Sequence, residues 1–394
     1  MPPDTKGTPG RRILLVPDLP LENWPSMDRY ASRILKYLRT EHDDLAVRVS
    51  GPISELTADA SAAHGRTHPE MARGKTWLTR EARRYASRYF TYPRKVRRMS
   101  SDLVHILDHS YAHILHGMQG RPAVVSVHDL MPVMTVGFDT SSFTANIRNH
   151  FLWRVLKGIK AADAWIVFTE RVKSELSHWL GGDEGIHVIP HGVDEVFFEP
   201  DDPEVRQLTR EKWRLPADAF VVLHVGSSDE RKNLPVVIKA VAKLRASGFG
   251  AWLLQVGAKL TGEQVKTLKR AGLDQCSVFL GSMPERELHH AYRAADVLCF
   301  PSSYEGFGLP VLEAMAAGVP VVSSGAGGLR DVHGDTGIIV PSENPDLFSV
   351  ELERIALNPA LRKELAEKGV ARASQFTWSR AAARTADVYR SLIS

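Results

Sequence analysis

Two carboxylates, Glu305 and Glu313, flank the run Gly306-Phe307-Gly308-Leu309-Pro310. The run follows an apolar segment ending at Phe300, and a helical pattern opens near Pro310 and closes before Gly318. Proline inside a helix start and glycine just past its end is the preferred order. Gly306 and Gly308 let the backbone approach a ligand closely. The amides from about Phe307 to Val311 are expected as helix-start donors at a positive dipole end, suited to a phosphate or a sugar hydroxyl. A carboxylate is the usual partner of vicinal hydroxyls, as in ribose recognition.

A second group lies in Gly226-Ser227-Ser228-Asp229-Glu230-Arg231-Lys232-Asn233, between an apolar run and a helical pattern. Adjacent cations there suit a diphosphate: Arg231 can bind it bidentately and Lys232 as a point charge. A third candidate is His128, which follows the apolar run 123–127, with Asp129 placed to orient it. Ile189-Pro190-His191-Gly192-Val193-Asp194 reads as a hinge or cleft turn, with His191 in reach of a ligand. No Asp-x-Asp stands in a strand-end loop; Asp43-Asp44 and Asp201-Asp202 lie in polar connections. The expectation is therefore a site without metal, in which Arg231, Lys232 and helix dipoles neutralise a leaving diphosphate.

These groups need elements to hold them. Short apolar runs alternate with helical patterns, which predicts parallel sheets built from βαβ units. Strands are expected at 12–16, 46–49, 103–107, 123–127, 164–168 and 187–189, then at 220–225, 251–256, 277–280, 297–300, 320–323 and 337–340. Helices are expected at 27–39, 151–161, 234–247, 262–271, 285–294 and 310–317. A polar, proline-containing stretch from 190 to 216 separates the halves. The fold class that follows is α/β, with two doubly wound domains. Residues 1–195 form the first, 196–375 the second, and 376–394 a helix crossing back to the first. Ligands in such sheets bind at the carboxyl ends of the strands.

With these motifs in view, the chain resembles glycosyltransferase family 4, the group 1 glycosyltransferases of GT-B fold. Glu-x7-Glu enclosing Gly-Phe-Gly-Leu-Pro is the core of the likeness, which covers the C-terminal half and, more loosely, the N-terminal half. The resemblance implies that Glu313 binds the donor ribose and that Glu305 lies by a hydroxyl of the donor sugar. Gly306, Phe307, Gly308 and Leu309 would hold the sugar and distal phosphate. It further implies that Lys232 serves the diphosphate and that His128, in His128-Asp129-Leu130-Met131-Pro132, lines the reaction centre. Many members carry Arg straight after the loop glycine; here Ser227 stands there, and Arg231 is expected to supply the charge. The implied reaction is transfer of a hexose from a nucleotide-sugar donor with retention, the leaving phosphate taking the acceptor's proton. His-Asp-Leu and Arg-Lys-Asn lean toward a mannose-like donor with GDP, with a UDP-hexose next. The acceptor would be a glycan or a lipid-linked hydroxyl, in the manner of polysaccharide biosynthesis.

The N-terminal half departs from the family. No glycine occurs between Arg11 and Ser50, so the usual Gly-Gly loop is missing. So is a GxGxxG fingerprint, which counts against a dehydrogenase. Ser26 and the amides near Met27 are the candidates for approaching phosphate; Trp24 and Met27 could instead shape an acceptor pocket. Residues 72–98 hold ten Lys or Arg against the single acid Glu81. Leu78, Ala82, Tyr85 and Tyr89 share one helical face and Arg80, Arg83, Arg84 and Arg88 fall largely opposite. Either an anionic membrane surface or packing on the domain accounts for that pattern. No nucleic-acid motif accompanies the charge, and no nucleic-acid partner is expected.

The chain has 394 residues with 43% hydrophobic and 24% charged composition and a net charge of +4, ordinary for a globular protein. Cys276 and Cys299 sit in no ligand-like cluster, which points to a reducing compartment. No apolar run reaches the ~18 residues of a membrane span. The location expected is cytoplasmic, or peripheral to the membrane on that side. Two other readings of the motifs are a sugar phosphorylase or epimerase of the same fold, and an inactive nucleotide-sugar-binding protein.

Overall fold

The structure is a computed structural model that describes residues 10–52, 82–130 and 143–393, apart from 21, 23, 119, 201 and 342. Side chains are described from 149 onward in the last of these segments. The irregular stretch 51–74, Leu78 and Arg80 of the basic segment, and Met131-Pro132 of the histidine motif fall outside the described residues, save 51–52.

The chain forms two compact units, Met1–His191 together with Trp378–Ser394, and Gly192–Thr377. The first holds a six-stranded parallel sheet of β1 (Arg11–Val16), β2 (Leu45–Val49), β3 (Leu103–Ile106), β4 (Ala123–Val127), β5 (Ala164–Val167) and β6 (Ile186–Val188). Its order is β2-β1-β3-β4-β5-β6. The second unit repeats the plan with β7 (Phe220–Gly226), β8 (Ala251–Gly257), β9 (Ser277–Leu280), β10 (Val297–Phe300), β11 (Val321–Ser323) and β12 (Ile338–Ile339), in the order β12-β11-β10-β7-β8-β9. Every pairing is parallel. Strands such as β3, β4 and β10 are buried at every residue. Helices cover both faces of such sheets, so apolar side chains are needed on both.

In each sheet the chain runs outward one way and then returns to the other side of its first strand. The switch points are β1/β3 in the first unit and β7/β10 in the second. Crevices outside the carboxyl ends of strands at such points are where doubly wound sheets take ligands.

Helix Pro25–Glu41 starts with proline in its first turn and buries Tyr30, Ala31, Ile34, Leu35 and Leu38. Helix Trp378–Leu392 packs on it and is tied to the first unit by ion pairs from Arg390 to Asp44 and by Ser379 donating to Glu41. The expected helix at 151–161 begins earlier, as Phe143–Lys160, because its first two turns are too polar to show an apolar period. The nine-residue 3-10 helix His109–Gly117 was not anticipated from its sequence; six of its residues are buried, so no amphipathic pattern marks it.

Candidate functional site

At the β7/β10 switch point, two loops are stitched together. Asp229 caps a 3-10 turn, Glu230–Lys232, by accepting from the Arg231 amide at 3.0 Å. Asn233 takes the left-handed conformation, φ 51°, and its side chain donates to the Pro301 carbonyl at 3.0 Å. The Ser303 amide donates to the Arg231 carbonyl at 2.8 Å. These bonds aim both cations at the segment after β10. Lys232 Nζ lies 2.5 Å from Glu305 Oε1, and Arg231 Nη1 3.3 Å from Oε2. Arg231 also donates to the Tyr304 carbonyl. Glu305 and Lys232 are both buried.

Glu305 is held from behind as well. Its carbonyl accepts from the Gly328 amide at 2.7 Å, and Gly327, at φ 61°, leaves no room for a Cβ against that same backbone. Gly308, at φ 100°, caps helix Leu309–Ala316, and a Cβ there would collide with Leu329. One turn in, Glu313 is 3% exposed and accepts from the Tyr292 hydroxyl at 2.7 Å. Phe307 is buried with its ring 6.2 Å from Phe376. Ser227 is exposed at the end of β7. The structure thus gathers Arg231, Lys232 and Glu305 into one charge cluster beside a helix start, with Glu313 fixed within that helix. Both cations are engaged by Glu305, an arrangement the sequence reading did not include.

Beneath Lys232 lies His224, fully buried in β7. A Cβ built at Gly226 would sit 3.3 Å from the His224 ring and 3.5 Å from the Lys232 stem. Burial, then the Lys232 charge, pushes the imidazole down to about 4, so it is neutral at pH 7. Sequence reasoning missed it; a titratable residue inside an apolar strand was the available signal.

The first unit has its own cluster, at the ends of β1, β3 and β4. His128 Nε2–H donates to the Leu107 carbonyl at 2.8 Å. Burial, opposed by Asp108, brings the ring down to about 4. A neutral imidazole that donates from Nε2 carries its lone pair on Nδ1. Asp129 was expected to orient this ring; the Leu107 carbonyl does so instead, because β3 and β4 are hydrogen-bonded neighbours. Rings from three successive strand ends stack: His128 on Phe168 at 4.6 Å and Phe168 on His191 at 3.9 Å. His191 is buried and held well below its ordinary range by that burial, so its place is inside the stack.

Two acids here also escaped the sequence reading. Asp18, just past β1, is 5% exposed and is pushed up to about 8 by burial, with Asp108, Asp28 and Glu22 adding to it. Asp108, just past β3, would be raised by burial, but His109, His128 and its bonds from Ser110 hold it below the usual range. Ser26 and Trp24 are exposed at the start of helix Pro25–Glu41, and Met27 is half-buried there.

The basic segment differs from its expected pattern. Arg88 points inward: it donates to Glu22 at 2.9 Å and to the Ser110 carbonyl, with its guanidinium 4.5 Å from the centre of the Tyr111 ring. Arg84 is paired with the same Glu22 at 3.7 Å. Tyr85 and Phe90 are exposed. A single-helix projection fails here because residues Ser87–Thr91 form a π-helical turn, which rotates the later side chains relative to an α-helical count.

Residues 205–372 match the family model described as "Glycosyl transferases group 1", and residues 22–197 match "Glycosyltransferase Family 4". The D-inositol 3-phosphate glycosyltransferase of Streptomyces bingchenggensis is 35% identical over 246 residues, 59% of this chain and 53% of that protein. That of Streptosporangium roseum is 32% identical over 59% of this chain and 55% of its own length. The chain spans about half the length of the curated relatives it matches. Among solved structures, Anabaena HepE in complex with UDP superposes with a TM-score of 0.72 at 19% identity, covering 97% of this chain and 100% of that one. Sucrose-phosphate synthase from Thermosynechococcus elongatus gives 0.71 at 22% identity over 97% and 99%. These likenesses show the fold, GT-B with two Rossmann-like units. Two adjoining family models, the Glu305/Glu313 segment and the two doubly wound sheets agree that the chain belongs to the group 1 glycosyltransferases.

Proposed function

We propose that the chain is a retaining hexosyltransferase that moves a sugar from a nucleoside diphosphate sugar to a hydroxyl of a glycan or lipid-linked acceptor, without a metal. The carrying observation is the cluster of Arg231, Lys232 and Glu305 beside the helix start Gly306–Leu309, with Glu313 in the same helix. On this reading Glu313 accepts from the ribose hydroxyls, and the amides after Gly306 meet the sugar and distal phosphate. Arg231 and Lys232 turn from Glu305 to the diphosphate as charge develops on it. Preorganised donors aimed at developing charge are usually the largest catalytic term. Glu305, released, accepts from a hydroxyl of the donor sugar. His128 offers the lone pair of Nδ1, and with a ring neutral at pH 7 it acts as an acceptor for the sugar. Ser227 and Ser26 are assigned to the phosphate from the two strand-end loops. The leaving phosphate takes the acceptor's proton.

GDP-mannose is the donor the sequence motifs favour and a UDP-hexose the next. HepE complexes with UDP and with UDP-glucose support a nucleotide-sugar donor in general. The exposed Tyr85 and Phe90 beside a basic segment support contact with an anionic membrane surface on the cytoplasmic side, where a lipid-linked acceptor would be met. Among the described residues no helix is long and apolar enough to cross a membrane. Glu305→Ala tests the core of the reading: the variant should keep its circular dichroism and lose turnover sharply. Near-normal turnover would overturn the assignment.

A further inference from the structure

A chain of four polar side chains crosses the core of the first unit and has no role in the reading above. The Tyr389 hydroxyl, on the last helix, lies 2.6 Å from His105 Nδ1. His105 Nε2 lies 2.8 Å from Ser126 Oγ, and Ser126 Oγ 2.8 Å from the Tyr30 hydroxyl. All four residues are 2% exposed or less. Polar groups in such a place cost stability unless each is bonded, and apolar residues of the same shape would serve a plain core as well.

The chain ends at the ring stack. The Tyr30 ring stands edge-on, 5.1 Å from each of His128, Phe168 and His191. Its middle bond also has a counterpart nearer the site. His105 on β3 is bonded to Ser126 on β4; two residues further along the same strands, Leu107 accepts from His128. Burial pushes His105 down to about 3, and burial raises both tyrosines, so all four groups are neutral at pH 7. A neutral His105 donates from one ring nitrogen and accepts at the other. Either Tyr389 donates to Nδ1 and Nε2–H donates to Ser126, or Ser126 donates to Nε2 and Nδ1–H donates to Tyr389, so the loss of a terminal hydroxyl is felt at the ring or at the serine bonded to it.

We propose that Tyr389, His105, Ser126 and Tyr30 are positioning residues for His128: the chain fixes the Tyr30 ring, whose edge fixes the plane of the imidazole, so docking of the last helix sets the direction of the His128 Nδ1 lone pair. The proposal rests on the reading of His128 as a reaction-centre residue.

Tyr389→Phe removes one oxygen from the chain, and Tyr30→Phe breaks its other end while leaving every residue of the last helix unchanged. Either variant should lower kcat roughly tenfold or more, the scale on which misplacement of a catalytic group acts. The donor KM should stay within about twofold, because Arg231, Lys232 and Glu313, the groups read as holding the nucleotide, lie in the second unit and keep their contacts. The His128 ring nitrogen signals in 15N-correlated NMR of the unliganded protein should shift. Arg390→Ala is the control: it loosens the same helix through its Asp44 ion pair, and should lower the melting temperature while leaving kcat and the His128 signals unchanged. Wild-type kcat and His128 signals in whichever tyrosine variant folds would overturn the proposal, as would a matching loss in Arg390→Ala. If His128→Ala itself keeps full turnover, the reading of His128 fails; if it abolishes turnover while the tyrosine variants behave as wild type, only the positioning chain fails.

Discussion

Replacing Glu305 by Gln should move stability and ligand binding in opposite directions. Gln keeps the shape of the side chain and removes one charge. The structure holds Lys232 2.5 Å from this carboxylate, with side chains 11% and 8% exposed, and Arg231 at 3.3 Å with its side chain 31% exposed. Stripping one partner from a buried pair costs about 3–5 kcal/mol. Lys232 would retain an amide oxygen, and Arg231 keeps water and Asp229 at 3.6 Å, so we expect about 2–3 kcal/mol, or roughly 5–10 °C in the transition of the second unit. A diphosphate within reach of Lys232 would lie roughly 5 Å from the carboxylate, where like charges repel by about 1–3 kcal/mol at an effective dielectric between 20 and 80. Removing that repulsion should tighten nucleoside diphosphate binding at least about fivefold, even as turnover falls about a hundredfold. Calorimetric titration of GDP and UDP into both proteins, at low and high salt, measures the effect, which should shrink as salt rises. Weaker binding in Glu305→Gln would refute the idea that Arg231 and Lys232 are shared between Glu305 and the diphosphate.

Other outcomes follow from the same geometry. Glu313→Gln should weaken nucleotide affinity about tenfold, the worth of a charge-assisted hydrogen bond, with a smaller loss in Tyr292→Phe; unchanged affinity in a titration would remove Glu313 from the ribose. Asp18 is raised in the folded chain, so its contribution to stability declines as pH climbs from about 4 to about 8. Asp18→Asn should therefore stabilise increasingly over that interval, by up to about 1.4 kcal/mol per pH unit, and a stability gap that stays flat from pH 4 to 8 in urea melts would contradict the assignment. His105, His128 and His224 are depressed to about 3, 4 and 4. Their stabilisation is full above pH 6.5 and is lost as pH falls, since the unfolded chain then binds protons that the folded one refuses. The urea midpoint should drop steeply between pH 6.5 and 5, and a level midpoint there would speak against neutral buried rings. Gly327→Ala should cost 2 kcal/mol or more in roughly the manner of other left-handed positions, and should reduce turnover by shifting the Glu305 backbone; a wild-type melting curve would count against that constraint.

The strands were legible because a parallel sheet covered on both faces demands unbroken apolar runs, as at Ala123–Val127 and Val297–Phe300, where the expected bounds agree with the structure. Glu305, Glu313 and the glycines between them were legible because their spacing is local: one strand end, one turn and one helix fix their separation. What escaped depends on distant partners. Lys232 and Glu305 are 73 residues apart, and only the adjacency of β7 and β10 brings them together. Arg88 reads as a solvated helix charge until Glu22 and Tyr111 are set beside it by folding. Asp18 and the Tyr389 chain carry no local pattern, since a buried polar residue is distinguished by what surrounds it; His224 stands out only as a titratable residue inside the apolar run of β7.

The reaction proposed for this chain is transfer of a sugar from a nucleoside diphosphate sugar. It is tested most directly by incubating the purified protein with GDP-, UDP-, dTDP- and ADP-sugars in EDTA, with and without membrane lipid extract, and following nucleoside diphosphate release. Release is expected from one class of donor, increased by acceptor and lost in Glu305→Ala. No release from any donor under any of these conditions, with nucleotide binding still saturable, would contradict it.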